Sequence, residues 1–355
     1  MTSGADAERP LRLLVVDDSA FNRRNIAEML STAAGVEIAG KAADGEEALR
    51  LALQLRPDAI TLDLEMPRMD GFTFLRILMS KLPTPVIVVS SYSQKENVFK
   101  ALELGALDFV AKPERLLEGD LHALRAELVQ KVMMVRGLRM AALATRRPLD
   151  SRSHVAPPPR EPGLAPPRWV VGIASSTGGP SALMEVFQRL PARSRAGFVM
   201  AQHMPDKFTR TFAERLDKRS AVRVTEAADQ DALGAGVALL CPGRQCMELV
   251  GSVGDLRVRV GPALPEDRYV PSADRLLASV ARVAGSRALG VILTGMGDDG
   301  VQGARAILAA GGTVLAESEE TAVVYGMPGA AVRAGVVTSA LPLPAIADHL
   351  ATLGA

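Results

Sequence analysis

Between positions 146 and 168 the chain reads RRPLDSRSHVAPPPREPGLAPPR, and no hydrophobic period survives there. Seven of these 23 residues are proline and five are arginine. Proline-rich stretches of this kind favour extended, semi-rigid conformations. The stretch is therefore read as a linker. It divides the 355 residues into parts of about 145 and about 187, each of ordinary domain size. No repeat at a solenoid period occurs in either part.

Both parts alternate short apolar runs with longer amphipathic ones. In the first, Leu11–Val16, Val36–Gly40, Ile60–Leu62, Val86–Val89 and Phe109–Val110 read as strands. Ala20–Leu30, Gly45–Leu55, Phe72–Ser80 and Lys95–Leu104 read as the helices between them, and a long helical pattern runs from Leu121 to about Ala144. In the second, strands are expected at Trp169–Ala174, Gly197–Gln202 and Ala288–Leu293. Helices follow from about Ser181 to Leu190, from about Phe208 to Arg219, and through Ala310. Short runs rich in Val, Ile and Leu fit parallel strands buried on both faces. The expected class is α/β, with two doubly wound parallel-sheet domains joined by the Pro-rich linker. Such sheets carry their ligand and catalytic groups on loops after the carboxyl ends of strands.

The chemistry of the surface narrows the partners. Lys plus Arg is 41 against 40 for Asp plus Glu, a formal net charge of +1. Nucleic acids and anionic membranes call for a basic excess, so neither is expected as a partner. The start, MTSGADAERPLRL, carries no charged-then-apolar signal pattern. No apolar run approaches the roughly 18 residues of a membrane span. The expectation is a soluble cytoplasmic protein without membrane insertion. Cys241 and Cys246 are expected as buried thiols, since one possible pair makes no disulfide framework.

In the first part, Asp17 and Asp18 end the first strand and Asp63 ends the third. Ser90 ends the fourth, and Lys112 follows the fifth. A parallel sheet brings these ends to one edge. Three carboxylates there repel one another, and a hard divalent cation such as Mg²⁺ relieves the repulsion. A carboxylate beside such an ion can act as nucleophile toward a phosphoryl group. Lys112 can neutralise the phosphoryl oxygens, and the Ser90 hydroxyl can donate to one of them. The strings VVDDS, DLEMPRMDG, VIVVSS and DFVAKP resemble the receiver domain of bacterial response regulators, over residues 10–130. The resemblance implies a flavodoxin-like fold, with Asp63 as phosphoacceptor and Asp17, Asp18, Asp63 and the Glu65 carbonyl as the Mg²⁺ site. It also implies Ser90, Phe109 and Lys112 as switch residues, and a chemotaxis-type sensor histidine kinase as phosphodonor.

In the second part, His203 in VMAQHMP follows a strand. His122, His154 and His349 lie in helical patterns or in the linker. A general base near neutral pH is most easily a histidine. The loop SSTGGP sets hydroxyls before a helix whose first N–H groups can stabilise an oxyanion or bind a phosphate. TGMGDDG supplies carboxylates. These residues alone leave open a Ser–His–Asp hydrolase and a phosphate-cradling loop. Spacing alone does not choose between Asp298 and Asp299.

The strings IASSTGGPSAL, AQHMPDKFTRTFAERL, CPGRQCMEL, RYVPSADRLLASVA, VILTGMGDDGVQGARAI and VVYGMPGAAV closely resemble the catalytic domain of chemotaxis-type protein-glutamate methylesterases. That domain is assigned to residues 169–355, after a helix and Pro/Arg-rich linker over 131–168. The resemblance implies a Rossmann-like fold, Ser176 as nucleophile, His203 as base and Asp299 as its orienting acid, with Thr177 and Met296 as oxyanion support. It implies no cofactor for the ester chemistry. Methyl-accepting chemoreceptors are the implied substrates, with glutamine deamidation as a second activity. One departure stands out: Cys246 occupies a position where the family often has histidine. The rival reading is an output domain that binds a receptor or nucleotide without turning it over.

Overall fold

In the computed structural model, residues 9–91, 94–112, 118–138, 165–252 and 254–353 are described. The linker proper, His154 and the last residues of the long helical pattern lie outside them. The chain divides into two units, Met1–Leu149 and Asp150–Ala355.

The first unit is built from β1 (Leu11–Val16), α1 (Ala20–Ser31), β2 (Val36–Ala42), α2 (Gly45–Leu55), β3 (Ala59–Leu62), α3 (Gly71–Lys81), β4 (Val86–Ser91), α4 (Lys95–Glu103), β5 (Asp108–Lys112) and α5 (Glu118–Met134). All strand pairings are parallel, in the order β2-β1-β3-β4-β5. The central strands are buried on both faces: Leu13, Leu14, Ile60, Leu62 and Val88 are each fully buried. That is why their sequences are continuous apolar runs rather than alternating ones. The strand order reverses between β1 and β3, and that point opens a crevice at their carboxyl ends. Val16 pairs with Leu62, so Asp17 and Asp63 leave the sheet side by side.

The second unit contains β6 (Trp169–Ser175), α6 (Gly179–Gln188), β7 (Ala196–Gln202), α7 (Asp206–Arg219), β8 (Arg223–Glu226), β9 (Val237–Leu240), β10 (Gln245–Ser252), β11 (Asp255–Pro262), α8 (Ala273–Ala284), β12 (Ala288–Ile292), α9 (Val301–Ala309), β13 (Thr313–Glu317), α10 (Met327–Arg333), β14 (Ser339–Leu341) and α11 (Leu343–Thr352). Seven strands form a parallel sheet in the order β14-β13-β12-β6-β7-β9-β8. Here the order reverses between β6 and β12. Ala174 pairs with Ile292, and Ser175 with Gln202. The chain therefore leaves β6, β7 and β12 at one level, and those three loops carry SSTGGP, HMP and TGMGDDG.

Both sheets are all-parallel, as the apolar runs predict. The second unit is richer than its sequence suggests. β8, β9, β13 and β14 add to the three expected strands, and β10 and β11 form an antiparallel hairpin. β11 alternates exposed and buried residues over its first five positions, the mark of a strand with one face on the core. Helix α8 lies under this hairpin, where the Ser279 hydroxyl accepts from Leu249 N–H at 2.8 Å.

Candidate functional site

Two adjacent serines end β6, and their surroundings separate them. Ser175 is buried, and its hydroxyl donates to Gln202 Oε1 at 2.6 Å. Ser176 is half-buried, so its hydroxyl is the one a substrate can meet. Gly178 then turns the chain at φ +75°, a conformation that favours glycine, and α6 begins with Pro180 in its first turn.

Gln202, at the end of β7, joins this serine to the histidine beside it. Its amide Nε2 donates to Ser176 O and to His203 O, each at 2.9 Å. The His203 N–H donates to Ser175 O at 3.0 Å. From the other side, Ser176 N–H donates to Thr294 O at 3.1 Å. A Cβ on Gly295 would lie 2.7 Å from Ser176 Cβ and 2.5 Å from Met327 Sδ, so only glycine fits there. The Thr294 hydroxyl donates to the carbonyl of the buried Thr177 at 3.0 Å.

The two aspartates of GMGDDG take different roles. Asp299 is buried, and its Oδ2 lies 2.8 Å from His203 Nε2. It also accepts from Ala273 N–H at 2.8 Å and Asp274 N–H at 2.9 Å, the first residues of α8. A carboxylate at a helix start is favoured by the unpaired N–H groups and the dipole there. With Nε2 engaged by Asp299, Nδ1 is the ring nitrogen left to act as base. Asp298 is exposed; it accepts from the Tyr269 hydroxyl at 3.0 Å and from Arg268 at 3.3 Å. The Tyr269 ring stacks on His203, with centroids 5.3 Å apart and planes 7° off parallel. Met296 is exposed on the same loop.

Three participants escaped the sequence reading: Gln202, Tyr269 and Thr294. For Gln202 a signal existed, a polar side chain closing an otherwise apolar strand next to His203. Tyr269 and Thr294 gave none beyond their place in the segments RYVPSADRLLASVA and VILTGMGDDGVQGARAI. His122 and His349 are exposed on helices. Cys241 and Cys246 are buried free thiols, and burial pushes both above the usual thiol range. Cys246 Sγ lies 3.5 Å from Asp267 Oδ2, whose carboxylate also holds Arg275 at 3.0 Å.

At the edge of the first sheet, Asp17, Asp18 and Asp63 each offer an oxygen within 4.8 Å of the others. Asp17 is fully buried and Asp18 is exposed. Lys112 Nζ donates to Asp63 Oδ2 at 2.6 Å and to Asp17 Oδ2 at 2.9 Å. Burial pushes the Asp17 carboxyl above the usual range and Asp63 adds to it, against the pull of Lys112 and the Ser19 N–H. Burial works against the Lys112 ammonium, yet Asp63 and Asp17 outweigh it and hold it above the usual lysine range. Three carboxylates around one ammonium leave a net negative, oxygen-only donor set, which fits a hard divalent cation. Glu65 N–H reaches Asp63 Oδ1 at 3.4 Å, while its side chain is exposed. A Cβ on Gly71 would lie 2.6 Å from Asp63 O, so glycine lets α3 approach the loop that carries Asp63. The buried Ser90 hydroxyl donates to Gln94 Oε1 at 2.6 Å. Phe109 is buried edge-on against Phe99, with centroids 6.3 Å apart.

Comparison with known proteins gives two family matches. Residues 171–350 match the CheB methylesterase family, and residues 13–122 match the response regulator receiver domain. The chain is 46% identical over 344 residues to protein-glutamate methylesterase/protein-glutamine glutaminase 1 of Myxococcus xanthus, covering 97% of each. It is 51% identical over 347 residues to protein-glutamate methylesterase/protein-glutamine glutaminase 6 of Anaeromyxobacter dehalogenans, covering 96% of this chain and 95% of that one. Among solved structures, the catalytic domain of Thermotoga maritima CheB methylesterase aligns with a TM-score of 0.50 at 37% identity. It covers 52% of this chain and 98% of that domain.

Proposed function

The chain belongs to the CheB methylesterase family, and from that premise we propose that it hydrolyses glutamate γ-methyl esters on chemoreceptors with Ser176, His203 and Asp299. It is a hydrolase with a receiver domain ahead of its catalytic domain, a protein-glutamate methylesterase and protein-glutamine glutaminase controlled by phosphorylation in chemotaxis adaptation.

The single observation that carries the site is the His203–Asp299 pair, at 2.8 Å, on the same sheet edge as the half-buried Ser176. Ser176 Oγ attacks the ester carbonyl while Nδ1 of His203 takes its proton. Asp299 holds the imidazole by Nε2 and stabilises the imidazolium. The oxyanion is met by backbone donors of two loops, the one holding Thr177 at the start of α6 and the one holding Met296 after β12. His203 returns its proton to the departing methoxide, and methanol leaves. Water activated by His203 then opens the acyl-enzyme, freeing glutamate and Ser176. With glutamine as substrate the same steps release ammonia.

In the receiver unit, Asp63 is the proposed phosphoacceptor, supplied by a chemotaxis-type sensor histidine kinase. Asp17, Asp18, Asp63 and the Glu65 carbonyl would hold Mg²⁺, which when bound supplies positive charge against the phosphoryl oxygens. Lys112 already touches Asp63 and adds a second cation there. On phosphorylation the Ser90 hydroxyl exchanges Gln94 for a phosphoryl oxygen, with Phe109 as the aromatic partner of that switch. The receiver restrains the esterase until this happens. Among the described residues no helix is long and apolar enough to cross a membrane. The kinase and receptor partners of this reading put its work in the cytoplasm.

Methanol release from methyl-esterified receptor, with Mg²⁺ and with or without acetyl phosphate, tests both sites. Ser176→Ala is expected to abolish release. Asp63→Asn is expected to keep basal release and lose the response to the donor. A Ser176→Ala protein that still releases methanol would sink the nucleophile assignment.

A further inference from the structure

We propose that Tyr269 is a positioning residue for this esterase: its ring, stacked on His203 and tied by its hydroxyl to Asp298, holds the imidazole in the plane from which Nδ1 serves Ser176. The proposal rests on the esterase reading of Ser176 and His203.

A single hydrogen bond does not fix a ring. Asp299 grips His203 at one edge, through Nε2 at 2.8 Å. Alone, that contact leaves the imidazole free to rock about the bond, and its Nδ1 would sweep past the serine. A second restraint must act on the face of the ring. Tyr269 supplies it, with ring centroids 5.3 Å apart and planes within 7° of parallel, inside the range of offset aromatic stacking.

Tyr269 is itself held. Its hydroxyl donates to Asp298 Oδ1 at 3.0 Å. The Arg268 guanidinium lies 5.4 Å from the Tyr269 ring centroid and reaches Asp298 Oδ2 at 3.3 Å. Burial and the Asp298 charge both push the phenol above its usual range, so it remains a donor. The loop makes room for it: a Cβ on Gly297, at φ +92°, would lie 2.5 Å from the Tyr269 oxygen. The adjacent aspartates thus hold one histidine in two ways. Asp299 grips its edge directly, and Asp298 supports its face through Tyr269. The tyrosine face also favours the imidazolium that forms as Ser176 loses its proton.

The test uses the full chain labelled with ¹³C-histidine. Only four histidines are present, so the His203 ring signals are assigned by comparison with His203→Gln. In the wild type, stacking is expected to displace them upfield. Tyr269→Leu is expected to abolish that displacement and to lower kcat for methanol release about tenfold with KM unchanged; tenfold corresponds to about 1.4 kcal/mol of transition-state stabilisation. Tyr269→Phe, which keeps the ring, is expected to keep the displacement and to hold kcat within about threefold. Asp298→Ala, at an exposed position, releases the hydroxyl without opening the core and is expected to cost two- to threefold in kcat.

Four results would overturn the proposal: unmoved His203 signals in Tyr269→Leu, wild-type kcat in that variant, a rise confined to KM, or a Tyr269→Phe as slow as Tyr269→Leu. Absence of Ser176-dependent turnover in the wild type would instead remove the esterase reading. The ring signals would still decide whether Tyr269 holds the imidazole.

Discussion

At the scale of single residues, the catalytic edge depends on a side chain that performs no chemistry. Gln202 is 1% exposed and makes three hydrogen bonds, to Ser175 Oγ, Ser176 O and His203 O. Leucine at that position would fill similar space and leave a buried hydroxyl and two carbonyls without this partner. Each such loss costs about 1–3 kcal/mol where no water enters. Gln202→Leu is therefore expected to lower thermal stability, read from the fluorescence of Trp169, the one tryptophan of the chain. It is also expected to lower kcat by at least tenfold at temperatures where the variant remains folded, because Ser176 and His203, the proposed nucleophile and base, lose their common tether. Wild-type kcat in a folded Gln202→Leu protein would show that the backbone alone sets their spacing. The same scale shows what was legible in the residues. Ser176, His203 and an aspartate could be picked out as polar groups after apolar strands. Spacing did not choose between Asp298 and Asp299, and only the family resemblance pointed to Asp299; what sets the two apart physically is α8, whose first N–H groups meet Asp299 from a distant part of the chain.

At the scale of elements, the register between strands sets the site. β6, β7 and β12 end at one level, and the loops that leave them are packed too closely for side chains at certain points. Gly295 is such a point, with Ser176 Cβ on one side and Met327 Sδ on the other. Gly295→Ala must push the β12 loop away from the β6 loop. Displacements approaching 1 Å at a reacting group can cost about a hundredfold in rate, and a loss of that order in kcat is expected, with the Trp169 unfolding transition only modestly lowered. A Gly295→Ala enzyme of normal kcat would mean that the Ser176 loop follows the shift without losing its base. The alternation of strands and helices was readable because buried parallel strands are apolar throughout. The short strands of the second sheet were not: β8 and β14 are its edges, and β9 lies between β7 and β8. β8, β9 and β14 have only four, four and three residues, too few for a period to declare itself. The β10–β11 hairpin alternates, but its signal is spread across Cys246, Glu248 and the glycines of its turn.

At the scale of the whole molecule, the two sites are linked through one equilibrium if phosphorylation relieves a restraint. Thermodynamic coupling is reciprocal: whatever factor one ligand exerts on the binding of another is returned in full. A phosphoryl group on Asp63 that favours the open esterase must itself be favoured when the esterase is occupied. This can be measured on the intact chain without any receptor. Beryllofluoride with Mg²⁺ mimics the aspartyl phosphate, and a phosphonate that caps Ser176 holds the catalytic edge in an occupied state. If the donor raises turnover about tenfold by shifting this equilibrium, the capped protein is expected to bind beryllofluoride up to about tenfold more tightly than the uncapped one, by calorimetry. A smaller gain would mean that the cap distinguishes the two states only in part. Asp63→Asn abolishes the beryllofluoride signal in both forms and serves as the blank. Equal affinities, alongside a donor that does stimulate methanol release, would mean that occupying Ser176 does not bias the equilibrium that phosphorylation shifts. Control would then act on a step after substrate binding, since reciprocity binds free energies and not rates.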